Sequence, residues 1–387
     1  ARSMHIAIVG AGYVGLVTAA CLAHIGHEVV CLDVDAARIE HLRAGVLPVP
    51  EPGLDALVAE GLEAGRLRFT SDYAATRGSD MIIVCVGTLD AEEEWNGEIV
   101  RAAVRDIAAE VADIDEDVIV AHNPEFTREA TAVSDFLDPD RVVIGVDGHD
   151  EGGTATDLAE ALREAYAPLD APVVITDLTS AETIKVASNV FLAAKITFAN
   201  EISRITAATG ADAAAVVDGM GLDKRIVRNF LSPGPGFGGS CFPSQARALP
   251  RLAASYGVQT PLMDAIWPSN VSQADWLLDG LERVTARPVG GMRVAFLGLT
   301  FKAGTDDLRE SPAVRLGRAL LARGAVVVPF DPVSLERGIA LISGGSPDAP
   351  IEAAESAAAA CAAADAVVVA TEWPEFGTLD WAAIAPT

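Results

Sequence analysis

A glycine-rich turn near the N-terminus places the strongest constraint on the fold. His5–Val9 has the apolar pattern of a buried strand, the sequence GAGYVG follows at Gly10–Gly15, and Ala11–His24 favours a helix. In such a turn the first glycine permits a tight bend, the second lets the backbone approach a pyrophosphate, and the third lets helix and strand pack closely. The helix N-terminus also offers free N–H groups to phosphates. The pattern predicts a dinucleotide site that includes Gly10, Gly12, Tyr13, Val14 and Gly15.

The end of the next predicted strand, Val29–Asp33, supports this interpretation. Asp33 lies 18 residues past Gly15, where a carboxylate can accept hydrogen bonds from the adenosine ribose hydroxyls. Asp33 and Asp35 would repel the 2′-phosphate of NADP, so we predict NAD as the cofactor. A structural turn in an α/β protein with an unrelated ligand is the alternative. Val86, Gly87 and Thr88 lie at the end of the predicted strand Met81–Val86. Because open parallel sheets bind ligands at their carboxyl edge, we include these residues in the predicted cofactor site.

Two regions of alternating strands and helices flank a helical middle region in the sequence. In the first, further strands are predicted at Val118–Ala121 and Arg141–Val146, and further helices at Ala36–Ala44, Leu54–Glu63 and Ile99–Val111. Leu178–Thr209 contains neither Pro nor Gly and predicts one long helix. In the last region, strands are predicted at Arg293–Leu297, Val326–Pro329 and Ala366–Ala370, and helices at Pro312–Arg323 and Ala353–Ala364.

This order of elements predicts an α/β protein with two Rossmann-like parallel-sheet domains joined by a central helical domain with one long helix. We expect an NAD-binding domain at residues 1–177, a central domain with the candidate nucleophile at 178–286, and a second Rossmann-like domain at 287–387. Because a helix as long as Leu178–Thr209 often forms a subunit interface, we expect a homodimer.

Acidic residues outnumber basic ones along the chain. Asp and Glu total 55, Lys and Arg total 28, and the formal net charge is -27. This charge argues against nucleic acid or an anionic membrane as a partner. The few lysines and the acidic surface suit high salt, where self-repulsion is screened. A halophilic source is one interpretation, and compositional drift in a GC-rich genome is the other.

The cysteine pattern predicts a reducing compartment. The five cysteines are odd in number, and no two have CxxC spacing. We therefore expect a cytoplasmic protein with no disulfide framework and no metal site. We also find neither a signal peptide nor an apolar run long enough to span a membrane.

The segment GFGGSCFP at Gly236–Pro243 contains a candidate nucleophile. Its glycines form a loop that presents the thiol of Cys241 just before Pro243, a residue suited to the first turn of a helix. A helix N-terminus stabilises a thiolate. A thiolate can attack an aldehyde, and the adduct can lose a hydride to become a thioester that water releases as a carboxylate. A buried structural cysteine is the usual alternative; it fits Cys21, Cys31 and Cys85, which lie in apolar segments.

Two polar pairs are candidates for the remaining chemistry. Lys185 and Asn189 are four positions apart on the long helix, so they share a face and can stabilise an oxyanion. Glu125 and Glu129 have the same spacing and would share a face if their segment is helical. The alternative in both cases is a pair of solvent-exposed surface residues.

Together these segments resemble the UDP-glucose/GDP-mannose dehydrogenase family over nearly the whole chain. The matching motifs are GAGYVG at Gly10–Gly15, EPGL at Glu51–Leu54, VGT at Val86–Thr88, NPEFTRE at Asn123–Glu129, DFLDPDR at Asp135–Arg141, the segment Glu182–Asn189, PGPGFGGSCFP at Pro233–Pro243, FKAGTDDLRESP at Phe301–Pro312 and TEWPEF at Thr371–Phe376. So many ordered matches leave little room for chance. The Ser240 before Cys241 is most like the UDP-glucose branch, because the UDP-N-acetylmannosamine branch usually has His there.

The resemblance implies that one UDP-glucose is oxidised twice, with two NAD and one water, to give UDP-glucuronate. It implies that Cys241 is the nucleophile, that Lys185 and Asn189 stabilise oxyanions and position water, and that Glu129 is the acid/base group. It implies substrate contacts by Glu125, Phe126, Arg128, Lys185, Asn189, Phe237, Gly238, Lys302 and Arg309.

Three departures from the family pattern keep other functions open. Gln245 replaces an Asp that is expected to help Lys185 activate water, and Gln cannot accept a proton near neutral pH. The family's Thr-Val-Pro-x-Gly-Thr turn is missing, together with about one crossover unit of a dozen or more residues. Pro268 lies inside a predicted helix. Besides an active UDP-glucose dehydrogenase, the sequence therefore permits a non-catalytic or hydrolysis-impaired homologue, or a dehydrogenase of another sugar nucleotide such as GDP-mannose.

Overall fold

The computed structural model describes residues 2–87, 98–111, 120–146 and 154–384. Backbone contacts divide the chain into two compact units, Ala1–Lys185 and Val186–Thr387. The expected division into three domains stays a prediction.

The N-terminal unit is built on a parallel sheet of four strands with the order β3-β2-β1-β4. Its strands are β1 (His5–Val9), β2 (Glu28–Leu32), β3 (Leu67–Thr70) and β4 (Met81–Val84), and the helices along this part of the chain are α1 (Tyr13–His24), α2 (Ala36–Arg43), α3 (Leu54–Glu63) and α4 (Glu98–Val111). Helix α1 is buried from Gly15 to Ala23, as expected for a helix that is apolar on all sides. Strand β3 was not predicted; it is only four residues long, and its buried Leu67 and Phe69 alternate with exposed or half-buried residues.

A second sheet of the same unit contains three strands in the order β5-β6-β7. These are β5 (Ala121–His122), β6 (Val142–Val146) and β7 (Val173–Thr176), and the helices of this region are α5 (Ala132–Leu137) and α6 (Thr154–Tyr166). Strand β5 is antiparallel to β6, and β6 is parallel to β7. The predicted strand Val118–Ala121 lies partly outside the described residues.

The helical middle of the sequence contains four helices in the described residues. These are α7 (Leu178–Thr209), α8 (Ala213–Gly221), α9 (Cys241–Ser255) and α10 (Pro261–Thr285). The predicted bounds of the long helix α7 are confirmed. Helix α10 continues through Pro268 without a break.

The sheet of the C-terminal unit is parallel and has the order β10-β8-β9. Its strands are β8 (Arg293–Leu297), β9 (Val326–Phe330) and β10 (Ala366–Val369), and its remaining helices are α11 (Pro312–Ala322), α12 (Leu335–Ser343), α13 (Ala357–Cys361) and α14 (Trp381–Ile384). The predicted helix Ala353–Ala364 was too long. The N–H of Ala354 instead donates to the backbone oxygen of Pro329 in β9, and the helix ends at Cys361, after which Ala362 is extended.

The predicted fold class is thus confirmed: an α/β protein with parallel sheets towards both ends of the chain and a helical stretch with one long helix between them in sequence. Separate hydrophobic clusters lie beneath β1–β4 and beneath β8–β9. At the carboxyl ends of β1 and β8, glycines with positive φ, Gly10 and Gly298, let the chain turn sharply away from the sheet. Candidate functional residues follow both turns.

Candidate active site

The glycine turn after β1 has an open face. A Cβ on Gly15 would lie 1.8 Å from the carbonyl oxygen of Gly10, and a Cβ on Gly10 would lie 2.7 Å from that of Cys85. A Cβ on Gly12 would meet nothing within 4 Å. Gly12 is the N-cap of α1, and no side chain caps the helix there. Close packing therefore requires glycine at positions 10 and 15. Gly12 leaves space beside free N–H groups for an anionic ligand.

Asp33 connects this turn to the end of β2. Its Oδ2 accepts hydrogen bonds from the N–H of Ala11 at 2.8 Å and from the guanidinium of Arg38 at 3.0 Å. Its Oδ1 accepts from the N–H of Asp35 at 3.0 Å. A carboxylate has about four acceptor positions, so one is left for a ribose hydroxyl. No pattern in the sequence indicated that Arg38 pairs with Asp33.

Tyr13 joins the glycine turn to the loop that carries Glu129. Its hydroxyl donates a hydrogen bond to the Oε2 of Glu51 and interacts with the backbone of Ala130. Burial and, next, the hydrogen bond to Glu51 raise the pKa of Tyr13, and the nearby charge of Glu129 adds to the shift. Glu51 is buried and also accepts a 3.4 Å bond from the N–H of Val133. Glu51 lies in the EPGL motif, but its partners are distant in the chain, so no role was predicted for it from the sequence.

Glu125 and Glu129 lie in a loop rather than on a helix, which corrects the conditional expectation of a shared helix face. Asn123 holds the start of this loop through its side-chain amide, which donates to the backbone oxygen of Val143 at 2.8 Å and accepts from the hydroxyl of Tyr166 at 2.6 Å. These long-range bonds replace the local bonds that a helix would make.

Lys185 binds Glu125 directly. Its Nζ donates to the Oε1 of Glu125 at 2.7 Å and also to the backbone oxygen of that residue. The ring centre of Phe126 lies 5.3 Å from this Nζ and 3.6 Å from the guanidinium carbon of Arg141. The predicted residues Lys185, Glu125 and Phe126 are thus brought together within the N-terminal unit.

His122 lies beside the same group of charges. Burial lowers its pKa, the nearby Lys185 acts in the same direction, and Glu182 and Glu125 oppose the shift. The imidazole is therefore favoured in its neutral form. His122 was not predicted as a site residue, because only neighbours that are distant in the chain indicate its position beside these charges.

Arg128, predicted to contact the substrate, is bonded to Asp135. Its Nε donates to Oδ2 at 2.9 Å and its terminal nitrogen donates to Oδ1 at 2.5 Å. These bonds raise the pKa of Arg128. The guanidinium of Arg128 therefore stabilises the loop that carries it, and a substrate group that contacts this guanidinium would have to share it with Asp135.

Cys241 is the first residue of α9 and is exposed. Its Sγ lies 3.7 Å from the Oγ of Ser240, the N-cap residue. The other cysteines are buried or partly buried, in agreement with the structural interpretation of Cys21, Cys31 and Cys85. Burial raises the pKa of Cys21 and of Cys85 to about 12. Among the five thiols, only that of Cys241 is both exposed and at a helix N-terminus.

The glycine loop before Cys241 is held on both sides within the C-terminal unit. Asn270 binds the N–H and the carbonyl oxygen of Phe237 at 2.8 Å and 3.0 Å. The ring of Phe237 is buried against Trp267 and Phe242. The side chain of Phe237 thus packs in the core, and its contact with the substrate stays a prediction.

The second predicted group of cations follows β8. The Nε of Arg309 donates to both carboxylate oxygens of Asp307 at 3.0 Å, and a terminal nitrogen donates to Oδ2 at 2.7 Å; the side chain of Arg309 is half exposed. The Nζ of Lys302 lies 5.7 Å from the ring centre of Phe301. Both cations lie in one loop, and the N–H of Gly239 donates to the backbone oxygen of Arg309 at 2.9 Å. The structure thus joins the predicted thiol loop to the predicted cation loop.

The remaining predicted residues are placed as follows. Asn189 is buried on α7. Val86 and Gly87 follow β4 at the carboxyl edge of the first sheet, Val14 lies in the first turn of α1, and Thr88 is outside the described residues. The Oε1 of Gln245 is buried and has no hydrogen-bond partner among the described residues. Over the described ranges, no helix combines the length and apolarity needed to cross a membrane, and no three His, Cys, Asp or Glu side chains are grouped as metal ligands would be.

Comparison with protein families identifies the chain. Residues 4–120 and 104–170 match the NAD binding domain of the UDP-glucose/GDP-mannose dehydrogenase family, residues 179–272 match its central domain, and residues 295–387 match its UDP binding domain. The chain belongs to the UDP-glucose/GDP-mannose dehydrogenase family. The predictions of this family, of a dehydrogenase and of NAD as its cofactor are confirmed.

Individual relatives in the family are similar to this chain over most of its length. A UDP-glucose 6-dehydrogenase of Rhizobium meliloti is 40% identical, with 98% of this chain and 91% of the relative covered. One of Haloferax volcanii is 38% identical, with 97% and 93% covered. The structure of a UDP-glucose dehydrogenase from Pyrobaculum islandicum superposes with a TM-score of 0.87 at 34% identity, covering 98% of this chain and 92% of that one. These relatives do not favour the alternatives of a non-catalytic homologue or of a GDP-mannose enzyme.

Proposed function

We propose that this protein oxidises UDP-glucose to UDP-glucuronate with two molecules of NAD. The observation that carries the proposal is the state of Cys241: an exposed thiol, first in a helix, on a loop bonded to the backbone of Arg309. The full-length similarity to UDP-glucose 6-dehydrogenases supports UDP-glucose as the sugar nucleotide.

The residues of the N-terminal unit fit NAD. The open space at Gly12 and the uncapped start of α1 suit a pyrophosphate, and Asp33 suits an adenosine ribose. Because Arg38 is already paired with Asp33 at 3.0 Å, a 2′-phosphate would have to compete with that carboxylate. When bound, NAD supplies the hydride acceptor for both oxidations.

We assign Cys241 to the covalent step. After the first oxidation turns the C6 alcohol into an aldehyde, the thiolate adds to C6 and the carbonyl oxygen becomes an alkoxide. Loss of a hydride from C6 restores the carbonyl and leaves a thioester. Water then attacks the thioester, which releases the carboxylate and a proton and returns the thiol. Two hydrides leave C6 and one water oxygen enters the product, so the sequence is balanced.

The other roles follow the family pattern and the chemistry of each group. Lys185 would stabilise the developing oxyanion with its ammonium, held in direction by Glu125. Asn189 would add a neutral amide donor, and Glu129 would move the proton of the C6 hydroxyl. Lys302 and Arg309 would bind the anionic part of the UDP-sugar.

A stoichiometric assay tests the function. Purified protein with UDP-glucose and excess NAD should give about two NADH per sugar consumed. Cys241→Ser should give no UDP-glucuronate, whereas Cys361→Ala, which changes a buried cysteine outside the proposed chemistry, should keep the stoichiometry. Failure of the wild type to form NADH from UDP-glucose, or faster turnover of GDP-mannose, would contradict the proposal.

We also propose a homodimer formed through α7. Phe191, Phe198 and Ile205 are spaced by seven positions, so they form a row along one helix face. Their exposed fractions are 66%, 48% and 57%. Such a row suits burial against a second copy of the chain. Light scattering should give about twice the chain mass of 40.1 kDa, and Phe198→Glu should lower it to that of one chain; a monomeric wild type would contradict the dimer.

The acidic surface supports a further proposal, adaptation to high salt. With a net charge of -27, the excess carboxylates repel one another in the folded state, and salt screens this repulsion. The midpoint of thermal unfolding should therefore rise between about 0.1 M and about 1 M KCl. A midpoint that is constant or falls would leave compositional drift as the explanation.

A further inference from the structure

The loop that joins β8 to α11 carries the two cations assigned to the sugar nucleotide, Lys302 and Arg309. The residue after Arg309 is Glu310, and its φ is 46°. Residues other than glycine rarely adopt this left-handed conformation, and where they do the surrounding structure must hold it. The contacts of Glu310 therefore decide the course of the loop at Arg309.

Two guanidinium groups hold the carboxylate of Glu310. Arg247 of α9 donates to its Oε1 at 2.6 Å, and Arg315 of α11 donates to its Oε2 at 3.2 Å. The guanidinium carbons of both arginines lie over the ring of Trp267, at 4.7 Å and 5.2 Å from its centre. The side chains of Arg247 and Glu310 are each about one-quarter exposed. Stacked, partly buried guanidinium–carboxylate pairs are more strongly fixed than exposed ion pairs.

The same residue lies against the glycine loop that precedes α9. The N–H of Gly239 donates to the backbone oxygen of Arg309 at 2.9 Å. A Cβ on Gly238 would lie 2.6 Å from the backbone oxygen of Glu310, so the missing side chain allows the two loops to pack closely. Glu310 is thus connected to the thiol-bearing segment twice, through backbone packing before α9 and through Arg247 within α9.

We propose that Glu310 is a positioning residue that, through its pair with Arg247, keeps the cation-bearing loop in register with the helix of the nucleophile. This rests on the proposed function, in which Arg309 binds the sugar nucleotide and Cys241 attacks it. Loss of the pair should weaken binding of UDP-glucose selectively, because the residues that fit NAD belong to the other unit. A merely structural role would lower the unfolding temperature without separating the two substrates.

Two substitutions separate the carboxylate from the backbone. Glu310→Gln keeps the shape and removes the charge, whereas Glu310→Gly removes the side chain and relieves the left-handed backbone. Both should raise the KM for UDP-glucose about tenfold and change the KM for NAD by less than about twofold. Arg247→Lys keeps a cation and should show a smaller rise than Arg247→Gln. The control Asp279→Asn breaks an ion pair with Arg323 elsewhere in the unit and should change neither KM.

Each result of these measurements supports or overturns the positioning role of Glu310. Folded Glu310→Gln with an unchanged KM for UDP-glucose overturns the proposal, and so does a Glu310→Gly variant that matches the wild type. If the Glu310 variants do not fold by circular dichroism, the Arg247 pair provides the test: equal KM values for Arg247→Lys, Arg247→Gln and the wild type overturn it. If the wild type binds UDP-glucose without forming NADH, the proposed function fails, and calorimetric dissociation constants for UDP-glucose replace the KM values. A wild type that does not bind UDP-glucose overturns both.

Discussion

Lys185 donates a 2.7 Å hydrogen bond to the carboxylate of Glu125, a residue 60 positions earlier in the chain. The lysine side chain is only 13% exposed and that of the glutamate is 31% exposed. The ammonium of Lys185 is therefore largely withdrawn from water and held by a partner that still reaches solvent. Its direction depends on this contact as much as on its own helix.

The first prediction concerns this pair. Lys185→Met should lower kcat about 10²- to 10³-fold, since an oxyanion donor is lost. Glu125→Gln should lower kcat less, because the amide oxygen can still accept a hydrogen bond from Nζ. Single-turnover formation of NADH measures both effects. A larger loss in Glu125→Gln than in Lys185→Met would mean that Glu125 has a role of its own in the chemistry.

The glycines of the first turn should respond differently to alanine. Gly12 has φ -75° and ψ -169°, which any residue can adopt, and its Cβ would meet nothing. Gly12→Ala should therefore fold normally and raise the KM for NAD at least about tenfold, since the methyl group takes the space of the pyrophosphate. Gly15→Ala should lower the free energy of unfolding by about 3 kcal/mol or more, because its Cβ would overlap the backbone of Gly10. Denaturant titration and NAD kinetics check the pair, and equal stability of the two variants would refute the argument.

A third prediction concerns hydrolysis of the thioester. The Oε1 of Gln245 is buried without a hydrogen-bond partner among the described residues, and an amide cannot take a proton from water near neutral pH. The thioester on Cys241 should therefore accumulate during turnover and appear as added mass in the intact protein. Gln245→Asp should shorten its lifetime and raise kcat about tenfold or more. If the wild type shows no adduct and Gln245→Asp turns over no faster, hydrolysis is not limited at this position.

The fourth prediction is a pH dependence of stability. Burial raises the pKa of Asp135, but the hydrogen bonds from the side chain and backbone of Arg128 outweigh it, so the net pKa is lower than the ordinary 3.8. Because the folded pKa is the lower one, the contribution is fully present above the unfolded value and is lost as the pH falls below it. Asp135→Asn should cost about 1 kcal/mol at pH 7, since Arg128 is more than half exposed and the pair is screened. Urea titrations should show this difference shrinking as the pH falls below 3.8; a constant difference would assign the effect to packing.

Local patterns were predicted well where neighbours in sequence are sufficient. The bounds of β1, β8 and α7 follow from apolar runs and from the absence of Pro and Gly. The glycine turn after β1 was recognised because its backbone conformation and close packing require glycine at fixed positions, which the sequence displays. The exposed position of Cys241 followed in the same way from the surrounding glycines and Pro243.

Long-range contacts decided what these patterns left open. The Glu125 loop is not helical because Asn123 and Lys185 bond it to distant elements, and the helix expected from Ala353 begins later because that segment pairs with β9. In both places the segment is bonded to residues that are distant in sequence, which patterns of neighbouring residues do not predict.

The sequence by itself determined the family, the two parallel-sheet regions and the identity of the candidate chemical groups, because these depend on residue type and on spacing along the chain. The tertiary structure decided which groups hold which: Glu51 with Tyr13, Arg38 with Asp33, and Arg247 with Glu310. The physical reason is that hydrogen bonds and ion pairs form between atoms only a few ångströms apart, and the fold alone brings residues distant in sequence to that separation.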